Sequence, residues 1–245
     1  MSGTREWDAT SYDSLTLPHV AWGLRVLDRM DLVGDELVLD AGCGTGRDAA
    51  ALLERWPGAR MIGIDGSQQM LDQARERLGQ LATLVHADLT QPLPLTEPVD
   101  AVMSVAAFHW IRDHTTLFGN LHAVMRTGAS LTTDCGGRGN VANVNDALAR
   151  VTGQTHDGWE FAGAEDTRAR LEATGFEVVN VALRPDPFRC EDPEILDRYL
   201  ATVVLGSKLD ALPASERARF VTEVRLALGE PVVDYVRLEI DARAR

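Results

Sequence analysis

The sequence predicts an α/β fold, a parallel sheet whose two faces are covered by helices. Short apolar runs alternate with helical patterns between residues 37 and 135, as they do in chains that build such sheets. A loop with glycine at every second position follows the first of these runs. The first three runs each end in an aspartate, and ligands of such sheets bind at the carboxyl ends of the strands.

The glycine loop is the stretch around which the chain is organised. Glycine lets the backbone turn sharply and leaves no Cβ where a ligand approaches. The dinucleotide fingerprint G-x-G-x-x-G would need its third glycine at Arg47, so the spacing found here, G-x-G-x-G, favours another nucleoside ligand. The candidate binding residues of the loop are Asp40, Gly42, Gly44 and Gly46.

The sequence of the first half of the chain predicts five strands connected by helices and one loop. Apolar periodicity and turn signals set the boundaries. We expect strands at residues 37–40, 60–65, 82–88, 99–105 and 129–135, and helices at 48–56, 67–78 and 114–125. Asp65 and Asp88 end the second and third strands, so they should meet Asp40 at the carboxyl edge of the sheet.

The second half departs from this alternation after Gly139. We interpret residues 1–245 as one domain, with an N-terminal lid or helix at 1–30, a ligand-binding core at 31–137 and a remainder that completes the sheet. The helices within 138–174 and 191–229 form either a cap near the mouth of the site or a thicker layer on one face. They are expected at 141–151, 166–173, 192–206 and 214–228, with strands at 177–183 and 232–242.

The N-terminal segment has two open interpretations. An amphipathic helix is expected at residues 17–30, with Val20, Leu24 and Leu27 on its buried face. This helix either packs on the edge of the sheet or belongs to a lid over the ligand. In a lid, the inward-pointing side chains are Tyr12, toward the cofactor, and Trp7, His19 and Trp22, toward the substrate.

The composition excludes several classes of function. The 245-residue chain has a net charge of −13, whereas a nucleic-acid partner would select a basic surface, so no such partner is expected. Its apolar runs are shorter than the roughly 20 residues of a membrane span, and the N-terminus lacks the apolar stretch of a signal peptide. Three scattered cysteines indicate a reducing, cytoplasmic environment, and no spacing of histidines or cysteines predicts a metal site.

Four strings resemble the successive motifs of class I methyltransferases that use S-adenosylmethionine (SAM). They are VLDAGCGTGRDAALL, MIGIDGSQQMLDQAR, LVHADL and VDAVMSVAAFHWIRDH, and the resemblance covers most of the chain. It implies SAM as the cofactor, bound by the core at residues 31–137. It also implies a Rossmann-like, seven-stranded mixed sheet of order 3-2-1-4-5-7-6, flanked by helices, with strand 7 antiparallel.

The chemistry of SAM gives each residue at this edge a role. The glycine loop would pass the methionine end, with Asp40 orienting the loop and the ammonium. Asp65 can accept two hydrogen bonds from the ribose diol, because an ionised carboxylate has two acceptor oxygens, and Gly66 leaves room for the sugar. Asp88 can accept a hydrogen bond from the adenine amine. The expected apolar contacts are Met70 and Leu89 on the ring and Ala106 under the sulfonium.

The segment after strand 4 faces the substrate, with Phe108, His109 and Trp110 as candidate contacts. Its FHW string, together with WDATSY and VRLEIDARAR, resembles the trans-aconitate methyltransferase group, whose members esterify small carboxylic acids. His109 has three open roles: a general base, a hydrogen-bond donor to a carboxylate, or a packing residue. Possible carboxylate clamps are Arg138, Arg184 and Arg189.

These observations predict a SAM-dependent methyltransferase that acts on a small molecule, with a carboxylate oxygen as the favoured acceptor. One alternative is O-, N- or C-methylation of a natural-product intermediate. Another is a fold relative that works as a cyclase or a non-catalytic partner. An NAD-dependent oxidoreductase is disfavoured by Arg47 and by Asp88, a second nucleoside acid. We expect a monomer or a homodimer.

Overall fold

The computed structural model describes residues 18–155 and 158–245. Seven of its strands form one sheet, and two short strands, β7 (Phe188–Arg189) and β8 (Val232–Val233), pair with each other. The strands of the large sheet are β1 (Leu37–Ala41), β2 (Arg60–Asp65), β3 (Ala82–His86), β4 (Val99–Val105), β5 (Met125–Gly136), β6 (Phe176–Pro185) and β9 (Val236–Ala244).

The order of the large sheet is β3-β2-β1-β4-β5-β9-β6. The first five strands are parallel, and β9 runs antiparallel to both β5 and β6. With β9 as the seventh strand of this sheet, the predicted α/β fold and its mixed strand order are confirmed. Parallel pairing brings the carboxyl ends of β1 to β4 to one edge, which is where ligands of such sheets bind.

Helices cover both faces of the sheet and continue beyond its carboxyl edge. A 3-10 turn at Phe108–Trp110 follows β4, and a π-helical turn at Leu200–Val204 lies between two short helices. The α-helices are α1 (His19–Arg29), α2 (Arg47–Arg55), α3 (Gln68–Leu78), α4 (His114–Ala123), α5 (Ala142–Thr152), α6 (Ala164–Ala173), α7 (Pro193–Tyr199), α8 (Gly206–Asp210) and α9 (Ala214–Leu228).

Helix α1 buries a different face from the one that its apolar residues predict. Val20 and Leu24 are about half exposed, whereas Trp22 and Val26 are buried with Leu27. The tryptophan decides the orientation, because its indole packs into the core while its Nε1 donates a hydrogen bond to Asp186. The expectation that Val20 and Leu24 face the core was therefore wrong.

The third strand ends at His86, so Asp88 follows it instead of ending it, and three other elements differ from the expected ones by more than two residues. The strand expected at 129–135 begins at Met125, because a register shift between Val99 and Ala101 lets β5 continue past a local irregularity. The helix expected at 192–206 is divided into α7, a π-helical turn and α8. The last strand is interrupted after β8, where the carboxylate of Asp234 accepts a hydrogen bond from the backbone N–H of Asn143.

The interior has separate apolar clusters for the sheet and for the helices after β5. The sheet is packed on both faces, around Phe118 on one face and Val26 on the other. Another cluster joins α5, α7, α9 and the π-helical turn to Trp22 of α1. This cluster attaches the helices of the second half to the carboxyl edge. Within the described ranges, no helix is both long and apolar enough to cross a membrane.

Two leucines of α1 provide a matched test of the corrected face. Leu27 is 2% exposed and Leu24 is 52% exposed. Leu27→Ala should lower the free energy of unfolding by about 2–5 kcal/mol, because it removes buried methyl groups and leaves a cavity. Leu24→Ala should change it by less than about 0.5 kcal/mol. Urea unfolding of both variants checks this, and equal losses would contradict the observed orientation.

Candidate functional site

A cavity of about 1010 Å³, including its open mouth, lies at the carboxyl edge of the sheet. Residues of the glycine loop, the segment after β4, helix α1, and the loops and helices beyond β5 all contribute to its walls. Of the residues expected from sequence, those on the lining are His19, Trp22, Gly42, Gly44, Asp65, Met70, Ala106, His109 and Trp110.

The glycine loop has the close approaches that its sequence suggests. Gly42 has φ +83°, and a Cβ placed on it would lie 2.4 Å from the Cβ of Ala107. No side chain fits there, because both the conformation and the space exclude it. Gly44 has φ +52°, and a Cβ on it would meet no atom within 4 Å, so this part of the loop is open to the cavity.

Asp65 connects the loop to the end of β2. One of its carboxylate oxygens accepts the backbone N–H of Gly44 at 2.8 Å, and the other accepts that of Ser67 at 2.8 Å. Each oxygen keeps a second lone pair, so the carboxylate can still accept a diol. Burial raises the pKa of Asp65, and the backbone donors oppose that rise.

Two further acids lie close to the loop. Asp40 is 2% exposed, and its Oδ2 has no hydrogen-bond partner among the described residues. Burial, together with Asp48 and Asp65, raises its pKa well above the usual value. Burial also raises the pKa of Asp48 to about 6. A buried carboxylate oxygen without a donor is costly when it is ionised, which agrees with the raised pKa of Asp40.

The segment after β4 is held in an unusual conformation. Ala106 has φ +56°, which is uncommon for a residue with a Cβ, and its N–H donates to the carbonyl of Asp134 at 2.7 Å. The following 3-10 turn carries His109. Nδ1 of His109 accepts the backbone N–H of Gly136 at 3.2 Å. The ring proton is therefore on Nε2, and His109 can offer that N–H as a donor.

His109 is neutral at physiological pH. Burial lowers its pKa well below 6.5, and the positive charge of Arg237 lowers it further. His19, from α1, has its pKa lowered in the same way by burial, Arg237 and Arg47. His19, His109 and Arg237 all line the cavity.

Arg237 is the most deeply buried charge of the lining, with 1% exposure. Its Nε donates to Asp134 at 2.6 Å, and its guanidinium lies 3.6 Å from the ring centroid of Trp22. Asp134 is fully buried at the end of β5, and burial raises its pKa despite the nearby arginines. The pair holds Arg237 at the cavity wall and connects β9 to α1 through a cation–π contact.

Three half-buried rings form a second wall of the cavity. Trp159 stacks on Phe161 with centroids 5.2 Å apart and meets Trp110 edge-on at 5.8 Å. Phe161 also contacts the ring of His109, at 5.9 Å. We call Trp110, Trp159 and Phe161 the aromatic wall.

The other expected site residues do not line this cavity. Phe108 is fully buried against Phe118 in the core. Gly46 has Leu78 where a Cβ would lie, so it serves the packing of α2 on α3. The side chain of Asp88 accepts from the backbone N–H and hydroxyl of Thr90, both at 2.8 Å. Asp40, Gly66 and Leu89 are likewise absent from the lining, and Trp7 and Tyr12 are outside the described residues.

None of the three arginines considered as carboxylate clamps is on the lining. Arg138 pairs with Asp166, Arg184 with Glu239, and Arg189 with Glu191. Sequence reasoning missed Arg237, although it belongs to the quoted string VRLEIDARAR. It also missed several other lining residues: Arg47, Asp48, Asn140, Trp159, Phe161 and Tyr235. No group of three His, Cys, Asp or Glu side chains in the described ranges could hold a metal ion.

The Arg237–Asp134 pair makes a pH-dependent prediction. Arg237→Met should lower the free energy of unfolding by about 3–5 kcal/mol at pH 8, because Asp134 stays buried without its closest cation and keeps only the more distant Arg184. When folding raises the pKa of a carboxyl group, its ionised form destabilises the folded state above that pKa. Protonation below that pKa removes the destabilisation. The loss should therefore be smaller at pH 5 than at pH 8, in chemical denaturation at both pH values.

The double variant Arg237→Met with Asp134→Asn is the control, since it removes the buried charge. It should recover part of the loss at pH 8 and show little difference between the two pH values. A loss in Arg237→Met that does not change with pH would contradict the buried charge of Asp134 as its cause.

Comparisons with known proteins agree with this geometry. A family model described as a methyltransferase domain matches residues 38–128. Trans-aconitate 2-methyltransferase of Acidovorax sp. strain JS42 is 28% identical over 92% of this chain and 90% of its own length. The same enzyme of Azoarcus sp. strain BH72 is 37% identical, over 51% of this chain and 49% of the relative. The chain spans about half the length of the Azoarcus relative.

Malonyl-acyl-carrier-protein O-methyltransferase of Xylella fastidiosa strain M23 is 32% identical over 60% of this chain and 52% of its own length. Among solved structures, the cyclase SpnF has a TM-score of 0.65 at 18% identity and covers all of this chain and 88% of its own. Coclaurine N-methyltransferase has a TM-score of 0.64 at 13% identity, over 94% of this chain and 74% of its own. These two show the fold alone.

The matched domain contains the glycine loop, Asp65 and the segment after β4, all of which contribute to the walls of the cavity. The predicted cofactor, S-adenosylmethionine, is confirmed by this family. The domain match, the trans-aconitate methyltransferase relatives and the strand order together support a class I SAM-dependent methyltransferase.

Proposed function

We propose that this protein transfers the methyl group of SAM to a carboxylate oxygen of a small molecule. The observation that carries the proposal is the hydrogen bond from the Gly136 N–H to Nδ1 of His109. It commits the neutral ring to a proton on Nε2, so His109 can donate a hydrogen bond but is poorly suited to remove a proton. A carboxylate acceptor needs such a donor and no base, because its usual pKa is about 4.

The cofactor would be held by the residues at the carboxyl edge. Asp40 and the open backbone at Gly44 suit the methionine end, and Asp65 suits the ribose diol. Met70 also lines the cavity and suits the adenine ring. Asp88 and Leu89 follow the carboxyl end of β3. When bound, SAM supplies a methyl group that its sulfonium has already activated.

The chain then has to position the acceptor and exclude water. Alignment of two reacting groups supplies several kcal/mol of a barrier without any proton transfer. Nε2–H of His109 would hold the acceptor oxygen, and Trp110 would close the cavity beside it. We also propose that the helices of 138–174 and 191–229 act as a cap, since Val141, Val203 and Val204 contribute to the lining.

Asp65→Ala tests the cofactor assignment. The variant should bind SAM about 10- to 100-fold more weakly, because it loses a charged acceptor worth about 1.5–3 kcal/mol. Asp72→Ala, an exposed acid on α3, is the control and should leave SAM binding unchanged. Isothermal calorimetry with SAM measures both, and an unaltered affinity in Asp65→Ala would remove this residue from the cofactor site.

The pH dependence of the reaction tests the role of His109. On the best carboxylic acid from an acceptor screen, kcat should be nearly flat from about pH 6.5 to 9, because the acid is ionised and no base titrates. His109→Gln should keep most of kcat, since a glutamine amide can accept from Gly136 and donate to the acceptor. His122→Gln, outside the cavity, is the control.

A phenol or enol acceptor predicts the opposite result. The rate would then rise through a pKa near that of histidine, and removal of the base would cost roughly 10²–10⁴ in kcat. A rising limb that disappears in His109→Gln would overturn the carboxylate proposal and favour methylation of a natural-product intermediate.

A further inference from the structure

We infer that the acceptor is an acid with a single carboxylate on an apolar, largely planar body, and that the aromatic wall selects it. The inference rests on the proposed function and makes its substrate class more specific. It follows from two properties of the cavity, the chemistry of its walls and the balance of its charges.

The walls on the acceptor side are mostly apolar. Trp110, Trp159 and Phe161 present half-buried ring surface to the cavity. The stacked pair Trp159–Phe161, inclined by only 25°, forms an extended flat surface. Aromatic surfaces of this kind favour a planar or aromatic ligand that can stack or meet them edge-on.

A further apolar surface comes from the rest of the second half. Val141, Val203 and Val204 line the cavity together with the ring of Tyr235. Their neighbours belong to the apolar cluster that joins the helices beyond β5 to α1. A ligand with several carboxylates would place charged groups against these valine side chains, which form no hydrogen bond in exchange for the lost hydration.

The charges of the lining cancel. The described lining residues include two arginines, Arg47 and Arg237, and two aspartates, Asp48 and Asp65, while His19 and His109 have lowered pKa values. The first 17 residues, outside the described ranges, contain one arginine and three acids in the sequence, so they add no net positive charge from their side chains. The chain itself therefore does not balance a ligand with several negative charges.

SAM contributes a net charge of one when bound, through its sulfonium. One carboxylate on the acceptor balances this charge, whereas three carboxylates would leave two negative charges uncompensated in a cavity whose lining is mostly apolar. Electrostatic interactions are strong in such surroundings, so this imbalance is costly. The charge balance therefore favours a monoanion.

The geometry of Arg237 also suits one carboxylate. Nε of its guanidinium donates a hydrogen bond to the side chain of Asp134, and Nη2 donates one to the carbonyl of the same residue. Within the described residues, only Nη1 makes no hydrogen bond to Asp134. Because methyl transfer removes the charge of the acceptor carboxylate, a full unshared cation would stabilise the reactant more than the transition state. A guanidinium shared with Asp134, beside the neutral donor of His109, holds the reactant less strongly.

Three probe acids separate the size of the body from its charge. Trans-cinnamate has one carboxylate on a planar aromatic body, 4-carboxycinnamate adds a second carboxylate to the same body, and trans-aconitate has three on a small polar one. Methyl transfer from SAM to each acid gives kcat/KM. We expect trans-cinnamate to exceed both of the others by about 100-fold or more, as expected for burying an uncompensated charge.

The aromatic wall is tested with Trp159. Trp159→Ala should raise KM for trans-cinnamate about tenfold with little change in kcat, because a stacking surface is lost and the reacting groups are not. Trp159→Phe, which keeps a ring, should recover most of the affinity. Leu81→Ala, a 68% exposed position far from the cavity, is the control for unrelated losses. Thermal unfolding of each variant confirms that it is folded.

The outcomes distinguish this inference from the proposed function. If trans-aconitate or 4-carboxycinnamate is the better substrate, or if Trp159→Ala leaves KM for trans-cinnamate unchanged, the inference is wrong and the carboxylate proposal stands. If none of the three acids is methylated by a protein that binds SAM, and a panel of phenols and amines is, both are wrong.

Discussion

The buried ion pair between Asp134 and Arg237 is the interaction on which the acceptor side of the cavity depends. Antiparallel pairing of β5 with β9 places Gly136 opposite Arg237, so the arginine reaches back along the strand to Asp134. The two ends of the pair serve different elements. The carbonyl of Asp134 holds the strained backbone of Ala106, and the guanidinium of Arg237 lies under Trp22 of α1. A buried pair contributes little net stability, because desolvation offsets the Coulomb attraction, so its value here is to fix the positions of β4, β9 and α1 relative to one another.

The cofactor side depends on a different constraint, the close approach of two backbones. Gly42 and Ala107 are so near that no Cβ fits at position 42. That approach requires positive φ at Gly42, and the adjoining chain at Ala106 also has positive φ, although it carries a Cβ. Strain of this kind persists only where surrounding hydrogen bonds determine the conformation, and it is concentrated at functional sites. Asp65, which holds the N–H of Gly44, supplies one of these bonds.

The sequence allowed the fold and the glycine-loop wall of the cavity to be predicted better than the wall around Arg237 and Trp159, for a physical reason. The strand ends at Asp40 and Asp65 and the intervening glycine loop are contiguous patterns, and each can be read from a few neighbouring residues. Arg237 and Trp159 are brought to the cavity by β-pairing and loop packing over long separations, which local patterns do not encode. The orientation of α1 failed for a related reason. The spacing of apolar residues predicted a face that contains Val20 and Leu24. The contacts of Trp22 with Asp186 and Arg237 instead determine which side of the helix is buried.

The charges of the cavity relate cofactor binding to stability. Burial raises the pKa values of Asp40 and Asp48, which means that folding penalises their ionised forms. For Asp48 the penalty is present above about pH 6 and is relieved as the pH falls below that value. On the proposed assignment, the ammonium of the cofactor would offset part of the same penalty at neutral pH. Any ligand that binds the folded state alone stabilises it, and here the gain would include relief of the penalty on these buried acids. These acids would thus lower the stability of the ligand-free protein, and binding would restore part of it, an arrangement expected where function and stability compete.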